Sequence, residues 1–179
     1  LMKDAGVDAC IVNVRGAEYI VGPAAVNYTS ASEQQAFDLE YSASDRYRAL
    51  MAGALNYIAD DAGAGQECVI GQLVLGLPLN TYHKNVEALT HHARGEHMVR
   101  QPGADQHRRV TVKDVHVMVQ PHGALLAFGV AHPALLKDNR WTLVIDVGGG
   151  TLDWFVARGT TPNWARSGAH PKAMLHCAY

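Results

Sequence analysis

The spacing of apolar and polar positions changes several times along the chain, and each change predicts an element. Ala9-Cys10-Ile11-Val12-Asn13-Val14 and Glu18-Tyr19-Ile20-Val21 read as two short strands, turned by Arg15-Gly16-Ala17 and stopped by Gly22-Pro23. From Gln34 to Asp61 the spacing becomes helical. Tyr47, Leu50, Met51, Leu55 and Ile58 share a face, Asp45, Arg46 and Arg48 lie off it, and Gly63 and Gly65 close the helix. Cys68 to Leu77 is almost continuously apolar, the pattern of a strand buried on both faces. Pro78 ends it, because proline has no N–H to donate to a ladder.

A short helix is expected from about Lys84 to Ala93, then strands over Glu96–Arg100 and Arg109–Gln120, with a turn-forming loop from Gln101 to His107. Val110, Val112, Val115, Val117 and Val119 give the second strand a high density of β-branched residues. Gly123 to Leu136 predicts a buried helix broken at Pro133. Trp141–Val147 and Thr151–Ala157 predict two strands around Gly148-Gly149-Gly150; past Gly159 the pattern weakens until an apolar segment from Ala173 to Tyr179. Strands alternating with helices indicate an α/β fold, a central mixed sheet covered by helices.

Composition narrows the class. The 179 residues are 48% hydrophobic and 18% charged, enough to bury a core and unlike a disordered chain. Fifteen basic and seventeen acidic residues are interspersed, which argues against direct nucleic-acid binding and against a polybasic membrane surface. The longest apolar stretch, Gly123 to Ala131, is short of the ~20 residues a spanning helix needs. Cys10, Cys68 and Cys177 are too scattered for a disulfide framework or a CxxC metal site and suit structural thiols in a cytoplasmic protein. His91, His92 and His97 lack the i, i+4 spacing and carboxylate of a zinc helix and read as surface histidines. The chain opens at Leu1 and is expected to be a piece of something longer.

The chemistry concentrates in Leu143-Val144-Ile145-Asp146-Val147-Gly148-Gly149-Gly150-Thr151-Leu152-Asp153. Three successive glycines are costly to order, and they leave backbone N–H groups open to a ligand. Such groups can converge on an anion, Asp146 can hold a divalent ion directly or through water, and Thr151 adds a hydroxyl. There is no G-x-x-x-x-G-K-[ST], and Asp153 stands where the third glycine of a dinucleotide fingerprint belongs. Both of those motifs lead into a helix, whereas Thr151–Ala157 alternates as a strand. A plain hairpin turn is the competing reading of the glycines, but an Asn-Gly or Asp-Gly pair would serve that purpose.

A strand–GGG–strand hairpin with acidic shoulders resembles the second phosphate loop of the actin-like ATPase superfamily, which includes the seventy-kilodalton heat-shock chaperones and sugar kinases. Within it the chain looks most like the plasmid-segregation actins of the ParM/StbA type. Further support comes from Leu73-Val74-Leu75-Gly76-Leu77-Pro78-Leu79, the hairpin ending Tyr19-Ile20-Val21-Gly22, and Val115-His116-Val117-Met118-Val119-Gln120-Pro121 with the helix after it. The resemblance implies an α/β actin-like ATPase (ribonuclease H-like) fold, a mixed five-stranded sheet with flanking helices, incomplete in this chain. Residues 1–140 would be most of the first domain, lacking its first phosphate hairpin, and 141–179 the second hairpin and the start of the second domain.

The same resemblance implies ATP and Mg2+ as cofactors, with Asp146 organising the metal and the attacking water. Gly148, Gly149, Gly150, Thr151 and Asp153 would bind the β- and γ-phosphates. Gln120 falls where segregation actins usually carry glutamate and would orient water without accepting its proton, so hydrolysis would be slow. Self-association into filaments and a DNA-binding adaptor protein are the implied partners. A metabolic kinase or phosphatase on the same fold and a nonenzymatic interaction module are the alternatives. The first needs an acid or base that neutral Gln120 does not supply.

Overall fold

The computed structural model describes residues 8–28, 41–100, 107–137, 139–171 and 174. The chain divides into two compact units, Leu1–Leu73 with Ala88–His116, and Val74–Glu87 with Val117–Tyr179. Parts of the expected helix before Tyr41, the loop before His107, and the segment from Ala173 to Tyr179 apart from Met174, with Cys177, lie outside the described residues.

The first unit holds most of a mixed five-stranded sheet. Its strands are β1 (Cys10–Val14), β2 (Ala17–Val21), β3 (Glu67–Leu77), β4 (Gly95–Arg100) and β5 (His107–Val119), in the order β2-β1-β4-β5-β3. β1 runs antiparallel to β2 and β4, and β4 antiparallel to β5. The first hairpin turns on two residues, Arg15 (φ 52°) and Gly16 (φ 87°), and Ala17 already belongs to β2. Positive φ at both positions matches the strand twist, and Asn13 Oδ1 accepts from the Gly16 amide at 3.0 Å.

Helix α1 (Asp45–Asp61) starts later than the spacing suggested, after a 3-10 turn at Tyr41–Ala43. The reason is local: the Ser44 hydroxyl accepts from the Tyr47 amide at 3.1 Å and caps the helix. Of the expected face, Met51 and Leu55 are buried; Ala49, Ala52, Gly53, Asn56 and Ala59 join them, while Leu50 and Ile58 are 43% and 48% exposed. Small residues let the helix lie close to the sheet, with Gly53 against Val21 and Cys10. The core there is Cys10, Val12, Val21, Ala49, Ala52 and Val99. From β5, Arg108 donates to the carbonyls of Asn56, Ala64 and Gly65, to Asn56 Oδ1 and to Asp60, fastening the C-terminal end of α1.

β3 is not buried on both faces as expected; Val69 and Val74 are more than half exposed. It is the end strand of its sheet among the described residues. After Pro78, helix α2 (Leu79–Ala93) begins at once, five residues earlier than the spacing indicated.

The second unit holds α3 (Gln120–Ala131), α4 (Pro133–Lys137), β6 (Trp141–Val147), β7 (Leu152–Arg158), β8 (Thr161–Pro162) and β9 (Gly168–His170). The sheet order is β6-β7-β8, with β9 also pairing with β7. The helix expected at Gly123–Leu136 is broken at Pro133 as anticipated, but it is only partly buried: Pro121, Leu125 and Gly129 face inward and Val130 is exposed. Gly129 has no room for a side chain because Leu136 of α4 packs on it. Phe155, Ala157, Val119 and Leu125 form the core, flanked by Leu79, Tyr82, Leu136 and Val144. β6 is the end strand of this sheet among the described residues, and Trp141, Leu143, Ile145 and Val147, which share one face, are each more than half exposed.

Candidate functional site

The glycine hairpin connects β6 to β7 in a register that places Asp146 opposite Asp153 and Val147 opposite Leu152. The Gly148 amide donates to the Thr151 carbonyl at 2.9 Å, leaving Gly149 and Gly150 as a two-residue tip. A Cβ on Gly148 would come within 3.1 Å of that carbonyl oxygen, so the closed turn itself selects against a side chain there. Gly148, Gly149, Gly150, Thr151 and Asp146 are all half-buried, neither sealed in the core nor fully in solvent.

The two acidic shoulders differ in environment. Asp153 is 2% exposed and its Oδ1 accepts from the Leu79 amide at 3.1 Å. Burial pushes its carboxyl above the ordinary carboxylate value; hydrogen bonds from Thr151 and the Leu79 amide pull it back, and the charge of Asp146 adds to the rise. Leu79 opens α2, whose first N–H groups have no partner within the helix. The preceding residue, Pro78, has no side-chain acceptor to cap it, so a carboxylate from 74 positions away serves.

Gln120 is the first residue of α3 rather than the last of a strand, because Pro121 fits the first helical turn. Its side chain is exposed and lies across Gly76 near the end of β3, where a Cβ would come within 2.9 Å of Gln120 Cγ. Asp153 and Gln120, 33 residues apart by number, therefore meet the same connection, Gly76 to Leu79, at its two ends. Sequence reasoning did not find Gly76 or Leu79 as parts of the site. No local signal marks them, because α2 starts at Leu79 and its orphan N–H is met by Asp153, 74 residues away.

Beside this region Trp164 stacks on Tyr82 at 5.8 Å, and the His122 ring stacks on Phe155 at 5.2 Å, fixing the floor beneath β7. Among the described residues no cluster of three or more His, Cys, Asp or Glu can hold a metal by protein ligands alone. A magnesium ion that keeps most of its waters and binds substrate phosphates needs only one or two carboxylates, which Asp146 can meet. Among the described residues no helix is long and apolar enough to cross a membrane.

Residues 1–123 match the family model of the N-terminal domain of actin-like proteins. No curated protein matches the chain. Of the solved structures, AlfA from B. subtilis plasmid pLS32, seen as a filament, is similar with a TM-score of 0.72 and 19% identity, over 97% of this chain and 60% of AlfA. A filament of AlfA bound to AMPPNP matches with a TM-score of 0.64 and 18% identity, over 94% of this chain and 56% of that one. The actin-like protein Alp7A gives 0.68 and 16% identity, over 93% of this chain and 47% of Alp7A. The apo form of pSK41 ParM gives 0.68 and 15%, over 97% and 55%. The chain thus spans about half the length of the solved structures it matches. The actin-like α/β fold expected from the glycine hairpin and the order of elements is the fold observed. The chain belongs to the actin-like proteins, with residues 1–123 matching their N-terminal domain.

Proposed function

We propose that this chain is a fragment of a cytoplasmic actin-like ATPase of the plasmid-segregation, ParM/StbA type, that it carries one side of the nucleotide site, and that it is inactive by itself. In this reading residues 1–140 make up most of the first domain, and 141–179 carry the second phosphate hairpin and begin the second domain. The observation that carries the reading is the hairpin itself: a strand–Gly148-Gly149-Gly150-Thr151–strand turn with a half-buried Asp146 at its entrance. The nucleotide-bound and filamentous states of AlfA support it.

The backbone amides of Gly149 and Gly150 at the tip hold the β- and γ-phosphates of ATP, while the Gly148 amide and the Thr151 hydroxyl shape the turn through their bonds to the Thr151 carbonyl and to Asp153. Asp146 would hold Mg2+ directly or through water, and the ion would supply positive charge to offset that developing on the phosphates. Gln120 orients the attacking water through its amide. Because that amide does not take up the water's proton, turnover is slow and filaments live long enough to do work. Assembly is self-association, and a DNA-binding adaptor connects filaments to plasmid DNA.

The test is to add ATP to the intact protein carrying this chain and follow light scattering together with phosphate release. Magnesium-dependent scattering and slow release are expected, both lost in Asp146→Ala. Absence of scattering and of nucleotide hydrolysis in the wild type would remove the reading.

A further inference from the structure

The family resemblance implies that Asp153 binds phosphate with the glycines of its hairpin, but its carboxylate is directed elsewhere, to the start of α2. It is 2% exposed, it accepts from the Leu79 amide at 3.1 Å, and its other protein partner is Thr151 on its own hairpin. A group so enclosed satisfies a helix end; it has little surface left for a hydrated ion or a phosphate. Leu79 is only three residues past Gly76, and Gly76 is where the Gln120 side chain rests. β3, Pro78 and the first turn of α2 thus form a short rigid bridge: proline fixes its own φ, and Thr81 Oγ1 donates to the Pro78 carbonyl at 3.3 Å.

We propose that Asp153 is a positioning residue that ties the glycine hairpin to the Gly76–Leu79 connection, which at its other end seats Gln120. The hairpin and the water-orienting amide are thereby held at a set distance by one piece of backbone. The role needs an oxygen acceptor at Asp153 and no side chain at residue 76. It does not need a negative charge at 153. This inference rests on the proposed ATPase reading for its catalytic consequence, but the tie itself is a property of the fold.

Two variants separate positioning from direct chemistry. Asp153→Asn keeps an oxygen for the Leu79 amide and a second group for Thr151; Asp153→Ala keeps neither. Steady-state ATP hydrolysis by the intact protein is expected to stay within about threefold of wild type in Asp153→Asn. In Asp153→Ala kcat is expected to fall at least about tenfold with KM changed less than about threefold, since a misplacement near 1 Å costs on the order of a hundredfold in rate. Gly76→Ala, which pushes on Gln120 Cγ, is expected to show the same split between kcat and KM.

Hydrogen exchange at the Leu79 amide, read by nitrogen-15 NMR without nucleotide, is expected to be slow in wild type and Asp153→Asn and at least tenfold faster in Asp153→Ala. Turnover in Asp153→Asn reduced as far as in Asp153→Ala would mean that the charge acts on metal or phosphate, and would overturn the proposal. Equal Leu79 protection in all three proteins would overturn it as well. If wild type hydrolyses no ATP, the ATPase reading fails while the Leu79 exchange still decides the tie. If Asp153→Ala does not fold, Asp153→Asn decides alone, a loss of more than threefold in kcat counting against it.

Discussion

Arg108 and Arg109 are adjacent on β5, yet replacing each by lysine is expected to have very unequal consequences. The Arg108 side chain is 14% exposed and makes a fork of contacts at the end of α1. Nε donates to the Gly65 carbonyl at 2.9 Å, Nη1 to the Asn56 carbonyl and Oδ1 at 3.2 and 3.0 Å, and Nη2 to the Ala64 carbonyl at 3.2 Å. Asp60 completes the set from a side chain that is 42% exposed. A lysine ammonium is a single point donor group and cannot reach three separated carbonyls and an amide together. At least two carbonyls lose a charge-assisted partner, and Asn56, 1% exposed, loses the donor to its side-chain oxygen. With about 1–1.5 kcal/mol for each, and the half-exposed Asp60 pair discounted for solvent screening, the loss is about 3 kcal/mol.

For a chain of this size that corresponds to a midpoint about 6–12 °C lower. Arg109 is 47% exposed and pairs with Glu67 and Glu96, themselves 74% and 61% exposed. Arg109→Lys is therefore expected within about 0.5 kcal/mol of wild type. Urea denaturation followed by circular dichroism reads both. Arg108→Lys within about 0.5 kcal/mol of wild type would refute the reasoning that the guanidinium fork holds the end of α1.

Gly53→Ala gains about 1 kcal/mol of helix propensity but drives a methyl into Val21, whose Cβ would be 2.8 Å away, so a net loss of about 1–3 kcal/mol is expected. Gly71→Ala, on β3 with open space around it, is expected to be neutral or slightly stabilising, and the same denaturation experiment compares the two. The Cys10 thiol is fully buried and is pushed up to about 11, first by burial and then by the charges of Asp60 and Asp8. With thiolate the reactive species, its fraction at pH 8 is about a hundredfold below that of an ordinary thiol. In a Cys177→Ser background, a thiol reagent should label half-buried Cys68 quickly and Cys10 only on unfolding; equal rates would contradict this. Because the folded state holds the Cys10 proton to higher pH than the unfolded chain, its contribution is complete below about pH 9. It is lost as pH rises toward about 11, by on the order of 2–3 kcal/mol, and Cys10→Ala should flatten that part of the stability profile.

Local chemistry makes the hairpins legible in the amino-acid sequence. Gly16 has the backbone freedom that a tight turn needs, and strong alternation on both sides of Gly148-Gly149-Gly150 is enough to mark β6 and β7. Burial is less legible, because it depends on neighbours. The large residues Leu50 and Ile58 look like the core face of α1, but close approach to β1 and β2 favours Ala49, Ala52 and Gly53 instead. β3 and β6 carry the apolar pattern of covered strands and lie at the ends of their sheets. The start of α2 is hidden for a related reason: its N-terminus is capped by Asp153, a partner no local window around Pro78 contains. Asp146 and the glycines, by contrast, stand out as a group from adjacency alone. The contact of Gln120 with Gly76 exists only in three dimensions.

The central claim is that the Asp146–Thr151 hairpin binds the phosphates of a magnesium nucleotide. Calorimetric titration of ATP into the intact protein, with and without Mg2+, beside the Asp146→Ala variant, tests it most directly. Saturable binding that requires Mg2+ in the wild type and weakens at least tenfold in Asp146→Ala is expected. Binding that is indifferent both to Mg2+ and to Asp146, or no binding at all, would contradict the account.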